Sequence, residues 1–297
     1  MAYQGYAPFG EWQTWYRIEG DLEGGHAPLV TLHGGPGATH DYLLSLTDLA
    51  RDGRAVVFYD QLGNGRSTHL PERMGDGAFW TPELFVRELH NLVEYLGIDG
   101  HHVLGQSWGG FLAQEYALTQ PAGLRSLVLA NTAASFPDFL AEANRLRGEL
   151  PHEVEATLRR HEEAGTTDDP EYMDACLVFY GRHVCRLPEW PDEVTRAFAQ
   201  IDSDPTVYHT MNGPSEFHVI GSIKDWQAKD RLGEIRVPTL VVSGRYDEAT
   251  PALQETLVAG LGGETEQAIL DESSHMPFWE ERERFMSVVG EFLARHD

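Results

Sequence analysis

The stretch His101-His102-Val103-Leu104-Gly105-Gln106-Ser107-Trp108-Gly109-Gly110-Phe111-Leu112 holds the end of a strand, a sharp turn and the start of a helix. The run HHVLGQ is short and apolar enough for a buried strand, and Phe111, Leu112, Glu115 and Tyr116 fall at helical spacing. Between them lies Gly105-Gln106-Ser107-Trp108-Gly109, a G-x-S-x-G turn. Glycines on both sides let the chain reverse sharply enough to lift a serine hydroxyl above a sheet, which makes Ser107 the candidate nucleophile.

Outward from this turn, strands alternate with helices. Pro28 to His33, Arg54 to Asp60, Leu124 to Asn131 and Val237 to Gly244 are further runs dense in Val and Leu, each suited to a parallel strand buried on both faces. Pro82 to Leu96 reads as a helix, with Thr81 as N-cap, Pro82 in the first turn, an apolar face of Phe85, Leu89, Leu92, Val93 and Leu96, and Gly97 as the stop. Such alternation predicts an α/β fold built on a doubly wound, mostly parallel sheet, with the ligand site beyond the carboxyl ends of its strands. The pattern breaks from about Ala133 to Arg231. That stretch reads as amphipathic helices near 137–150, 152–164, 170–187 and 191–201, an inserted helical cap between the sixth and seventh strands. The expected organisation is a catalytic domain of residues 1–132 and 232–297 with a cap of residues 133–231.

A serine hydroxyl is a weak nucleophile, so it needs a base, and the base needs an acid to hold its tautomer. Where a G-x-S-x-G elbow tops a parallel sheet, as in the α/β-hydrolase fold, the order along the chain is Ser, acid, His. The strand ending at Gly244 runs into Arg245-Tyr246-Asp247, so Asp247 is the candidate acid; Asp60 also ends a strand but precedes the serine. Thr265 to Leu270 reads as the last strand, and the loop after it offers His275 as the base. The oxyanion of a tetrahedral intermediate calls for two backbone N–H donors. Trp108 follows the nucleophile and supplies one; Gly35, in His33-Gly34-Gly35-Pro36-Gly37, is the choice for the other, with His33 itself assigned a structural hydrogen-bonding part.

Composition narrows the partners. With 22 basic against 47 acidic side chains the formal charge is −25, which repels nucleic acid and anionic lipid. No segment approaches the roughly 20 consecutive apolar residues of a membrane span, and residues 1–10 lack the basic-then-apolar pattern of an export signal, so neither membrane association nor export is expected. The two cysteines, Cys176 and Cys185, sit in what reads as one helical stretch, roughly 13 Å apart along the axis and beyond disulfide reach. They are expected to be buried thiols in a reducing cytoplasm. The chemistry assembled so far asks for no metal and no cofactor, and a small molecule is the only partner implied.

Five segments then carry a resemblance: HGGPG at 33–37, DQLGNGRS at 60–67, GQSWGG at 105–110, GRYDEATP at 244–251 and SSHMPFWE at 273–280. They are similar to the proline iminopeptidases, serine peptidases of family S33, and MNGPSEFHVIGSIKDW at 211–226 resembles the tricorn-interacting aminopeptidase branch. The chain departs from the family's DQRGCGRS at Leu62 and Asn64, and has Gln106 where Gly is usual. The resemblance implies an α/β-hydrolase fold and hydrolysis of the amide bond after an unblocked amino-terminal residue, Pro or small and apolar, in short peptides or aminoacyl amides. It also implies that Glu216 and Glu248 bind the substrate's α-ammonium, with Tyr208 contacting the substrate. Carboxylates in a partly desolvated pocket suit that task, because an exo-acting enzyme must measure a short distance from a cation to the scissile carbonyl. Related members of the branch are amino-acid amidases and hydrolases that strip an aminoacyl group from biosynthetic intermediates. A general esterase would share the triad without needing amine-binding acids, dehalogenases and most epoxide hydrolases carry Asp at the elbow, and a non-catalytic binding protein would not be expected to keep the whole triad.

Overall fold

The computed structural model describes residues 2–50 and 53–297. One eight-stranded sheet runs through it, with strands β1 (Ala2–Phe9), β2 (Trp12–Glu19), β3 (Leu29–Leu32), β4 (Val56–Tyr59), β5 (His101–Gln106), β6 (Leu124–Ala130), β7 (Thr239–Gly244) and β8 (Thr265–Leu270). Their spatial order is β1-β2-β4-β3-β5-β6-β7-β8. Strands β3 to β8 are mutually parallel, while β1 and β2 form an antiparallel hairpin whose second strand pairs antiparallel with β4. The central strands β3, β4, β5 and β7 are buried along their whole length, as their unbroken apolar runs require. The edge hairpin was not among the strands read from the sequence: AYQGYAPF alternates weakly and leaves Tyr3 and Tyr6 exposed.

Helices cover both faces. Helix α1 (Pro82–Tyr95) begins where Thr81 accepts the Leu84 N–H and gives way to Gly97 in a left-handed conformation, as its sequence dictates. Helix α2 (Trp108–Leu118) follows β5 directly and packs on β3, β5 and β6. Between β6 and β7 come α3 (Phe136–Arg147), α4 (His152–Ala164), α5 (Pro170–His183), α6 (Asp192–Ser203) and the short α7 (Thr206–Met211). The chain then returns to the sheet and to α8 (Pro251–Gly260), α9 (Pro277–Glu280) and α10 (Arg282–Arg295).

The inserted helices lie against the loops at the strands' carboxyl ends. His183, closing α5, meets the loop after β7 twice: its Nδ1 lies 2.8 Å from the Tyr246 carbonyl oxygen and its own carbonyl accepts the Glu248 N–H. Helix α6 packs on the 3-10 segment His40–Leu49, where the Arg196 Nε donates to Asp41. Helix α5 stops at His183, so Cys185 stands beyond it and the two cysteines do not share one helix as expected. Both thiols are free and buried, and burial pushes Cys176 up to about 12 and Cys185 to about 11. Among the described residues no helix is long and apolar enough to cross a membrane.

Candidate active site

Ser107 joins β5 to α2 with φ 57° and ψ −126°, a conformation uncommon for any residue but glycine. The turn survives because its flanks are glycines: a Cβ on Gly105 would lie 2.1 Å from the Gly109 carbonyl oxygen, and one on Gly109 would lie 2.0 Å from that of Leu32. The cost of this backbone is local, and its effect is to raise the serine side chain into a cavity of about 550 Å³ above the sheet.

The loops after β7 and β8 bring the candidate acid and base beside this cavity. From the loop after β7, Asp247 Oδ1 stands 2.6 Å from His275 Nδ1 and also accepts the Ala249 N–H. His275, from the loop after β8, lines the cavity with Ser107, and its Nε2 lies 3.7 Å from Glu248 Oε1. Burial opposes a charged imidazole, but the Asp247 carboxylate and its hydrogen bond, with Glu248 and Glu216 beyond, outweigh it and raise His275 to about 9. Asp60, the other acid considered, is committed elsewhere: it accepts from the His40 N–H and the Arg66 N–H, with His40 Nδ1 2.8 Å away. His33 is also structural. Its Nε2 accepts the Gln61 N–H, and burial lowers it to about 4.

Two acids face the same space. Glu248 is buried and neither of its carboxylate oxygens has a hydrogen-bond partner. Burial and the neighbouring Glu216 charge push its carboxyl well above the usual range. Glu216, in the turn after α7, accepts the Tyr208 hydroxyl at 2.7 Å and is raised by burial. Both line the cavity, as do Tyr208 and Gly35. The Gly34 N–H is taken by the Tyr42 hydroxyl, whereas Trp108 opens α2 and has no carbonyl within that helix to meet. A serine, a histidine held by a carboxylate, a backbone amide at a helix start and a desolvated acid pair are parts that can carry out acyl transfer, and a buried acid pair can accept a cation.

Comparison with known proteins identifies the family. Residues 27–282 match the family described as the alpha/beta hydrolase fold. A proline iminopeptidase of Saccharolobus solfataricus is 41% identical over 279 residues, covering 94% of this chain and 87% of that protein. The crystal structure of VinJ superposes with a TM-score of 0.96 at 51% identity, covering 99% of each chain. That of a Mycobacterium smegmatis proline iminopeptidase superposes at 0.90 and 43% identity, covering 99% of this chain and 98% of the other. The chain belongs to the proline iminopeptidase family. It is a hydrolase of the α/β-hydrolase fold.

Within this proline iminopeptidase scaffold three neighbours of the site were given no role from sequence. Gln106, at the departure from the family pattern, donates through Nε2 to the His275 carbonyl and accepts the Tyr42 hydroxyl at 2.5 Å. Because Tyr42 also accepts the Gly34 N–H, a strut runs from the base's loop to the glycine loop. Asn131, closing β6, donates to Asp247 Oδ2 at 2.7 Å. Side chains that act through other side chains have no spacing signature; only Asn131, an Asn just past a strand, hinted at a special backbone.

Proposed function

We infer that the protein is a serine aminopeptidase acting on an unblocked amino-terminal residue, Pro or small and apolar. Ser107 attacks the carbonyl of that residue as His275 Nε2 takes its proton, and Asp247 holds the imidazole tautomer. The oxyanion is received by the Gly35 and Trp108 N–H groups. His275 returns the proton to the departing amine, and water then releases the acyl group by the same steps reversed in role. Glu216 and Glu248 receive the substrate's ammonium, with Tyr208 steadying Glu216. The helices of residues 133–231 act as a cap over the catalytic domain of residues 1–132 and 232–297.

The observation that carries this reading is the acid pair. A buried carboxylate with two unpartnered oxygens, beside a second acid, is costly when empty and is relieved by a cation. The test compares kcat/KM for a free prolyl or alanyl arylamide and its N-acetylated counterpart in wild type, Glu216→Gln and Glu248→Gln. Each replacement should cost the free substrate about tenfold to a thousandfold, the scale of a charge-assisted contact. Equal hydrolysis of the acetylated substrate by wild type would instead indicate a general amidase or esterase.

A second reading, an amidase or aminoacyl-removing hydrolase, is favoured by the rest of the cavity. Beyond Ser107 it is lined by Met173, Val184, Ala197, Phe198 and Ile201, with Asp168 and Asp202 also on its wall and no Lys or Arg among the described residues. A leaving group that ends in a carboxylate meets no cation there, whereas an uncharged apolar amine finds matching surface.

A further inference from the structure

We propose that Asn131 is a positioning residue of the catalytic site, fixing which oxygen of Asp247 faces His275 and tying the acid's loop to the base's. The proposal rests on the mechanism inferred above for Ser107, His275 and Asp247.

Asn131 is fully buried, one residue beyond β6, with φ 52°. Its backbone N–H still pairs with the Val242 carbonyl of β7, so the left-handed turn occurs at the last rung of the ladder. Few residues other than glycine accept that conformation, and Asn is among those that do. The consequence is a side chain swung across the carboxyl end of the sheet. Its Nδ2 donates to Asp247 Oδ2 at 2.7 Å and to the Ser274 carbonyl at 3.1 Å. One amide group therefore spans the loop after β7 and the loop after β8, next to the residues that must meet. The following residue completes the set, since the Thr132 hydroxyl donates to the Ser107 carbonyl at 2.8 Å. Two consecutive residues closing β6 thus touch all three loops that carry the catalytic groups.

The carboxylate is divided between these partners. Oδ1 takes the imidazole and the Ala249 N–H; Oδ2 takes Asn131. Without the amide, Oδ2 has lost its donor, the carboxylate is held through Oδ1 alone, and His275 must answer more of its charge. The other charged groups facing His275 are Glu248, from the same loop as Asp247, and Glu216, from the turn after α7; His183, ending α5, faces Asp247. All of them stay in place in Asn131→Gly, which adds no charge, so a change in the base's titration there reports on the missing amide.

The decisive measurement is kcat per Ser107 titrated by an organophosphonate, with its pH profile, in wild type, Asn131→Gly and Asn131→Asp. Asn131→Gly keeps the left-handed backbone and removes the side-chain amide; Asn131→Asp keeps the size but adds a carboxyl beside Asp247, so if the glycine variant does not fold it is read for kcat per titrated site and not for the position of the limb. We expect kcat per titrated site to fall by about tenfold to a hundredfold, the scale of a small misplacement of a reacting group, with KM for a free alanyl arylamide changed less than threefold. The acid limb of the profile should move to higher pH, because a less compensated Asp247 holds the imidazolium more tightly. Unchanged kcat per titrated site with an unmoved limb would overturn the proposal, as would a loss accounted for by fewer titratable sites. Failure of wild type to titrate at Ser107 would instead remove the underlying mechanism.

Discussion

At the scale of single residues, the chemistry turns on charge placed around one imidazole. His275 lies between Asp247, bonded to its Nδ1, and the two acids on the substrate side. The base works only when neutral, and its raised pKa of about 9 places the acid limb of kcat/KM, read with a small neutral ester, above the ordinary histidine value. An ionised Glu248 favours the imidazolium, whereas a protonated one does not, so Glu248→Gln should shift the limb to lower pH or leave it in place; a shift to higher pH would contradict this charge arrangement. Ser107→Ala should abolish both phosphonate labelling and turnover. Asp247→Asn should lower kcat by about 10⁴-fold, the scale seen when a trypsin-type triad acid is replaced by its amide, because the wrong tautomer is favoured. A small loss there would reopen the case for Asp60, even though its bonds run to His40 and Arg66. Ser107, Asp247 and His275 could be named from sequence because each follows a strand in a fixed order. Gln106, Tyr42 and Asn131 could not, since their partners lie 64, 8 and 116 residues away and only folding makes them neighbours.

At the scale of elements, the elbow and the glycine loop are set by close approach of backbones. Gly37, with φ 111°, lies under α7: a Cβ there would be 2.8 Å from the Tyr208 N. Gly37→Ala therefore strains the loop and pushes away the helix that holds Tyr208, whose hydroxyl donates to Glu216 in the turn that follows. We expect a loss of about 1–3 kcal/mol of stability in denaturant unfolding, together with a raised KM for the free-amine substrate. Stability and KM both unchanged would show that loop and helix separate without penalty. The central strands and α1 were legible because apolar runs and caps are local signals. The β1–β2 hairpin was not, since an edge strand needs no buried face of its own, and the end of α5 at His183 was not, since the helix stops where its last turn meets the loop after β7.

For the whole molecule, the position of the insertion decides what can enter. Helices α5, α6 and α7 supply walls to a cavity that begins at Ser107, so a substrate must present a slender end rather than a loop of folded chain. A folded protein should not be cut internally, and such cleavage, detected by mass spectrometry, would contradict the enclosed site. The unequal lining leads to a sharper expectation. Alanyl octylamide should give a higher kcat/KM than an alanyl dipeptide with a free carboxyl end, and the gap should narrow when that end is amidated, because the penalty comes from a carboxylate facing Asp168 and Asp202 with no cation to receive it. A preference for the free carboxylate would return the leaving group to ordinary peptides. The charge of −25 acts in the same direction at longer range, repelling anionic substrates at low salt.

The sequence by itself determined the parallel sheet, the elbow, and the order in which the candidate nucleophile, acid and base follow their strands, because strand periodicity and turn chemistry are written within a few neighbouring residues. The acids at 216 and 248 were picked out through a family pattern, whereas their significance as a desolvated pair came only with burial. Tertiary structure alone decided that Glu248 lacks hydrogen-bond partners, that the cavity is walled by α5 and α6, and that the end of β6 touches the loops carrying Ser107, Asp247 and His275. These are properties of distance and solvent exclusion between segments far apart in the chain, and no local pattern encodes them.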